Sequence, residues 1–212
     1  MTRNLSVVPL PNEFFVSPIA HRGLHDCDGR FGSGRTENSF AACTFAMSEG
    51  FGVEVDIRSN EKNLIIGHDP FSDFINLKEW LSFYKHGTLI LNVKENGLEE
   101  KLIKTMQSFN KENFFILDQS FPYIIKTIKN GEKRCAIRLS EYESINTVLS
   151  LKEKIDWVWI DFFTKFPLDL DTYKVLTKNN FKLCFVSPEL HGHKDSKCID
   201  LKNYIKSNGM YF

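Results

Sequence analysis

Short apolar runs and longer amphipathic segments alternate along this chain. The runs, rich in β-branched and aromatic residues, are Pro18–His21, Val53–Ile57, Leu64–Gly67, Thr88–Val93, Phe114–Leu117, Cys135–Leu139, Trp157–Ile160 and Lys182–Val186. Apolar positions recur at helical period through Glu37–Glu49, Leu77–Lys85, Leu98–Phe109, Pro122–Lys129, Ser144–Ile155, Asp169–Asn179 and Ile199–Lys206. Strands alternating with helices predict βα units with parallel pairing, and the eight runs predict an α/β fold closed as a (β/α)8 barrel of TIM type. The connection from Ile57 to Leu64 is too short for a helix, so one helix of the ideal pattern is missing. An open doubly wound sheet is the rival, but no glycine-rich nucleotide fingerprint follows any strand to support it. No repeat, low-complexity tract or linker interrupts the alternation, and 212 residues suit a single domain spanning 1–212.

Charged residues are rare in strands buried on both faces, yet here they gather toward the strands' C-terminal ends. His21 and Arg22 end the first, Glu54 and Asp56 lie in the second, and His68 and Asp69 close the third. Asn92 and Lys94 belong to the fourth, Asp118 to the fifth, Arg138 to the sixth and Asp161 to the seventh, while Glu189 and His191 follow the eighth. Barrel enzymes build their active sites at that rim.

Glu54 and Asp56 are two apart, so both leave one face of the strand while Val53, Val55 and Ile57 face the helices. Two converging carboxylates repel and are costly to desolvate unless a cation sits between them. All-oxygen ligation without a nearby thiolate favours Mg²⁺ or Ca²⁺ over zinc. Neutralisation by Arg22, Lys94 and the histidines in a structural charge network is the competing account, and spacing leaves both open. Asn92 and Lys94 share a face and offer a neutral oxygen ligand and a cation for a phosphate oxygen. His21 and His68 supply groups that exchange protons near neutral pH. Together these residues suit cleavage of a phosphate ester.

Lys plus Arg and Asp plus Glu balance at 27 each, so no global field attracts nucleic acid or an anionic membrane. Met1–Phe15 has no apolar run of signal-peptide length, and no stretch approaches the length of a membrane span. The five cysteines, Cys27, Cys43, Cys135, Cys184 and Cys198, are scattered and none has zinc-site or redox spacing. Reduced thiols in a cytoplasmic protein are the expectation.

His21-Arg22-Gly23, Glu37-Asn38-Ser39, Glu54-Val55-Asp56 and His68-Asp69, in that order over the first third of the chain, resemble the glycerophosphodiester phosphodiesterases. The resemblance implies a (β/α)8 barrel of the phospholipase C-like phosphodiesterase type. It implies His21 and His68 as the acid/base pair, Glu54 and Asp56 as ligands of a divalent cation, Mg²⁺ or Ca²⁺, and Arg22 as a phosphate binder. Glu37 matches the family's residue at the start of the first barrel helix, where a first-turn acid also suits the helix dipole.

Three features depart from the family pattern. Asn92-Val93-Lys94 stands where the family has Glu-Ile-Lys, so Lys94 matches while Asn92 gives a neutral metal ligand that Asp118 could supplement. The insertion after the His-Asp element is nearly absent, since Pro70–Asn76 alone precede the next helix. The later chain carries Arg138-Leu139-Ser140-Glu141 and Ser187-Pro188-Glu189-Leu190-His191-Gly192 in place of the family's aromatic-rich ending. From these segments Arg138, Glu189 and His191 are expected to read the substrate. The expected substrate is a small phosphodiester, either a glycerophosphodiester or a glycan-linked glycerol phosphate. The alternatives are a lyase that releases a cyclic phosphate and a barrel that binds a phosphorylated ligand without turnover.

Overall fold

The computed structural model describes residues 18–26, 34–71, 74–85 and 87–210. The expectations for Met1–Phe15 and Cys27 lie outside the described residues. The strands are β1 (Ile19–Ala20), β2 (Gly52–Asn60), β3 (Asn63–Ile66), β4 (Ile75–Asn76), β5 (Leu89–Val93), β6 (Phe114–Leu117), β7 (Ala136–Leu139), β8 (Trp157–Ile160) and β9 (Lys182–Phe185). The helices are α1 (Phe40–Ser48), α2 (Leu77–Phe83), α3 (Glu99–Ser108), α4 (Phe121–Lys129), α5 (Ile145–Ser150), α6 (Leu170–Lys178) and α7 (Asp195–Ser207).

β1, β2, β5 and β6 pair in parallel, as do β7, β8 and β9 in a second sheet. One parallel bridge, Ile116 to Cys135, joins the sheets, and among the described residues β9 does not pair with β1. The closed eight-stranded barrel expected from the sequence is instead a partial barrel with a seam between β9 and β1.

The run Leu64–Gly67, expected as a parallel barrel strand, forms β3 instead. It returns antiparallel on β2, pairing Ile57 with Ile66 through a two-residue loop in which Glu61 is left-handed at φ 52°. Parallel neighbours need a crossover of about a dozen residues or more, and the connection after Ile57 cannot provide one. β4, absent from the sequence reading, extends this hairpin by pairing with β3.

Alternation along β2 sets the layers. Val53, Val55 and Ile57 are buried with Ala46 and Met47 of α1 and Leu102 and Met106 of α3. Each such aliphatic side chain contributes roughly 1.5–3 kcal/mol on burial. The other face turns inward, where Ile90, paired with Glu54, packs with Phe115, Leu117 and Ala136. Ile19, Trp157, Trp159 and Cys184 close on this plug, with the Phe115 and Trp157 rings stacked at 4.4 Å.

α1 starts at Phe40 because the Ser39 hydroxyl accepts the Ala42 N–H at 3.1 Å. Glu37 therefore precedes the first turn, and the helix-dipole role expected of it does not apply. Among the described residues no helix is long and apolar enough to cross a membrane.

Candidate active site

β1 runs into a tight loop in which Arg22 (φ 53°) and Gly23 (φ 80°) are both left-handed. A Cβ on Gly23 would lie 2.7 Å from the Ala42 carbonyl carbon and 2.8 Å from the Cys43 nitrogen. Glycine thus lets the loop press against α1. Left-handed backbone at a non-glycine residue is costly and gathers at functional sites. Here it accompanies a backbone bond from the Arg22 N–H to Glu54 Oε2 at 3.0 Å.

Asp56 is fully buried and ringed by donors. Asn38 Nδ2 donates to Oδ2 at 2.7 Å, and the Asp56 N–H donates back to Asn38 Oδ1 at 3.1 Å. Arg22 Nε stands 3.0 Å from Oδ2 and Lys94 Nζ 2.9 Å from Oδ1. Buried Glu54 accepts Asn92 Nδ2 on Oε1 at 2.9 Å, with His21 Nε2 3.8 Å from Oε2. Arg22 Nη1 reaches outward to Glu37 Oε2 at 2.5 Å. The structure thus brings His21, Arg22, Glu37, Glu54, Asp56, Asn92 and Lys94 into one connected network.

The electrostatics follow from burial. Desolvation, then the Asp56 charge, push the Glu54 carboxyl well above the usual range, while Asn92 and Lys94 pull it back. Burial, then the Arg22 charge, lower His21 from 6.5 to about 4, so its ring is neutral at pH 7. Burial opposes the Arg22 charge, but Glu37 and Asp56 outweigh it.

Hard oxygen donors for a cation are present in this network. The Asn92 Oδ1 atom is buried without a hydrogen-bond partner, beside two carboxylates of which one resists ionisation. That set fits a divalent cation of the Mg²⁺ or Ca²⁺ kind. It is charge-poor, since Arg22 and Lys94 already balance both acids. Among the described residues no group of three or more His, Cys, Asp and Glu is arranged to hold a metal.

A second network lies where β6, β7 and β8 end. Arg138 donates from Nη1 to Asp161 Oδ2 at 2.6 Å and from Nη2 to Asp118, with Glu143 Oε1 3.7 Å from Nε. His191, in a 3₁₀ turn over Pro188–His191, sets Nε2 2.5 Å from Asp161 Oδ1. Arg138 thus pairs with Asp118 directly and is linked to His191 through Asp161, which leaves Asp118 engaged away from the two acids of β2. Glu189 faces elsewhere, accepting the Ser187 hydroxyl and the Cys198 thiol. His68 Nδ1 lies 2.8 Å from Asp69 Oδ1 in a largely exposed pair, and among the described residues its ring bonds neither Glu54 nor Asp56.

No protein-family model matches the sequence, and comparison with curated proteins finds no match. Solved structures do match. A glycerophosphodiester phosphodiesterase from Parabacteroides distasonis superposes at TM-score 0.61 and 13% identity, covering 88% of this chain and 87% of that one. The chain has the fold of the glycerophosphodiester phosphodiesterases. A glycerophosphodiester phosphodiesterase from Agrobacterium tumefaciens aligns at TM-score 0.50 and 13% identity over 82% of this chain and 98% of that one.

On this glycerophosphodiester phosphodiesterase fold, two residues given no role by the sequence reading join the networks. Asn38 makes a reciprocal pair with Asp56, and its left-handed φ of 57° is one that asparagine tolerates. Its place in Glu37-Asn38-Ser39 was the available signal. In that motif the three side chains bind Arg22, bind Asp56 and cap α1, respectively. Asp161, an acid at a strand end, joins Arg138 to His191.

Proposed function

We propose that this chain hydrolyses a small phosphodiester, a glycerophosphodiester or a glycan-linked glycerol phosphate, to an alcohol and a phosphomonoester. The observation that carries this reading is the placement of Arg22 and Lys94. Both cations rest on buried Asp56, yet 17% and 18% of their side chains stay exposed, beside the neutral ring of His21. A guanidinium, an ammonium and a proton acceptor together make a seat for a phosphodiester anion next to a base.

In the proposed reaction Arg22 and Lys94 hold the non-bridging oxygens, on which charge grows toward the transition state. His21 takes the proton of the attacking water or of a neighbouring substrate hydroxyl. A second group must protonate the departing oxygen, a role the family resemblance gives to His68. Glu54, Asp56 and Asn92 are the residues that would hold Mg²⁺ or Ca²⁺, which when bound would add positive charge at a phosphoryl oxygen. Asn38 and Asn92 keep the carboxylates fixed while substrate binds.

The test is turnover of a panel of glycerol diesters with and without chelator, followed by phosphorus NMR. An open monoester supports hydrolysis, whereas a five-membered cyclic phosphate would show that a substrate hydroxyl attacks. No turnover of any diester with excess Mg²⁺, Ca²⁺ or Mn²⁺ would remove the enzyme reading.

A further inference from the structure

We propose that His191, held by Asp161 and Arg138, is the group that protonates the departing alcohol; the proposal rests on the phosphodiester reading above. Three observations carry it. The first is orientation. His191 Nε2 lies 2.5 Å from Asp161 Oδ1, and Asp161 is almost wholly buried. With Nε2–H donating to that carboxylate, Nδ1 is the nitrogen left to exchange a proton. The other Asp161 oxygen is held by Arg138 Nη1 at 2.6 Å, and the Phe163 ring packs against the imidazole at 4.6 Å. A base oriented by a buried acid that is itself fixed is the arrangement proton-transfer sites require.

The second is place. His191 follows β9 and His21 follows β1, the two strands that flank the seam. Ile19 of β1 and Cys184 of β9 pack on the same interior plug. Cys184 also lies within electrostatic reach of Glu54. His21 and His191 therefore both follow strands that pack on that plug, one on each side of the seam.

The third is contrast. The His68 side chain is 43% exposed and is paired with Asp69, which is 75% exposed, whereas the acid that holds His191 is buried. Arg138 is engaged with Asp118 and Asp161, with Glu143 nearby, which makes it a positioning residue rather than a second phosphate binder.

In the step assigned to His191, the bond from phosphorus to the alcohol oxygen breaks and its electron pair leaves with that oxygen. The oxygen takes the proton from Nδ1, and the imidazolium becomes neutral. The nucleophile's proton goes to His21, so protons and charge balance across the site.

Two diesters that differ only in leaving group test this. One releases an alkyl alcohol, which must be protonated; the other releases 4-nitrophenolate, which leaves without a proton. His191→Gln is expected to lower kcat about 100-fold or more on the alkyl diester and to change it little on the nitrophenyl diester, at an unchanged melting temperature. Asp161→Asn should lower kcat on the alkyl diester while KM holds. Equal losses on both diesters, no loss on either, or leaving-group selectivity in His68→Ala instead would overturn the assignment. Wild-type turnover of the nitrophenyl diester secures the underlying phosphodiesterase reading, and its absence would remove both.

Discussion

Asn38→Asp isolates the electrostatics of the buried pocket, because it keeps the side chain's shape and replaces one donor with a carboxylate oxygen. The atoms concerned, Asn38 Nδ2 and Asp56 Oδ2, are 2.7 Å apart. Two unit charges about 3 Å apart repel by about 5 kcal/mol at an effective dielectric of about 20. The pair has an escape, since taking up one proton restores a hydrogen bond between the oxygens. Protonating a carboxyl costs about 1.4 kcal/mol for each pH unit above about 3.9, hence about 4 kcal/mol at pH 7 and about 1.5 at pH 5. Arg22 and Lys94, at 3.0 and 2.9 Å from Asp56, offset part of the repulsion. The expected loss of stability is therefore about 2–4 kcal/mol at pH 7 and about 1 kcal/mol at pH 5. The folded variant binds its extra proton more tightly than the unfolded chain, so stability falls as pH rises between these values. Urea unfolding of both proteins at pH 5 and pH 7 measures the difference. A loss below about 1 kcal/mol at pH 7, or one that does not shrink at pH 5, would refute the pocket as described.

His21→Ala should cut turnover about 10²–10⁴-fold with the melting temperature unchanged; wild-type rates would exclude that ring from proton transfer. Because burial lowers His21 to about 4, the acid limb of wild-type kcat/KM should fall near pH 4, and a limb near 6.5 would contradict the buried, neutral ring. Asn92→Glu adds a carboxylate at the orphaned amide oxygen and should tighten Mn²⁺ binding in a calorimetric titration; an unchanged affinity would argue against a cation beside Glu54. Gly23→Ala drives a methyl into the backbone of α1 and should destabilise the fold by roughly 2 kcal/mol or more, measured by thermal melting, with a neutral result showing that the loop stands off the helix.

Much of the site was legible because strand parity and strand-end position are one-dimensional properties. The spacing of Glu54 and Asp56, and of Asn92 and Lys94, states which side chains share a face, and the parallel register then pairs Asp56 with Asn92. The fold was less legible at Leu64–Gly67. An apolar run of that length looks alike in a barrel strand and a hairpin arm, and the short connection from Ile57 was the signal for the hairpin. Closure of the barrel was not readable at all, because pairing between β9 and β1 depends on how far twist and curvature carry one edge toward the other.

The candidate residues divide in the same way. By itself the sequence determined that polar groups would gather at the C-terminal rim, and that His21, Arg22, Glu54, Asp56 and Lys94 would be among them. Tertiary structure alone decided the partners. It gave Asp118 to Arg138, paired Asp161 with His191, turned Glu189 toward Ser187 and Cys198, and made Asn38 the mate of Asp56. The physical reason is that facing is set by local backbone period, whereas partnership is set by distances across loops and strands far apart in the chain. A buried carboxylate accepts whichever donor the packing brings to it.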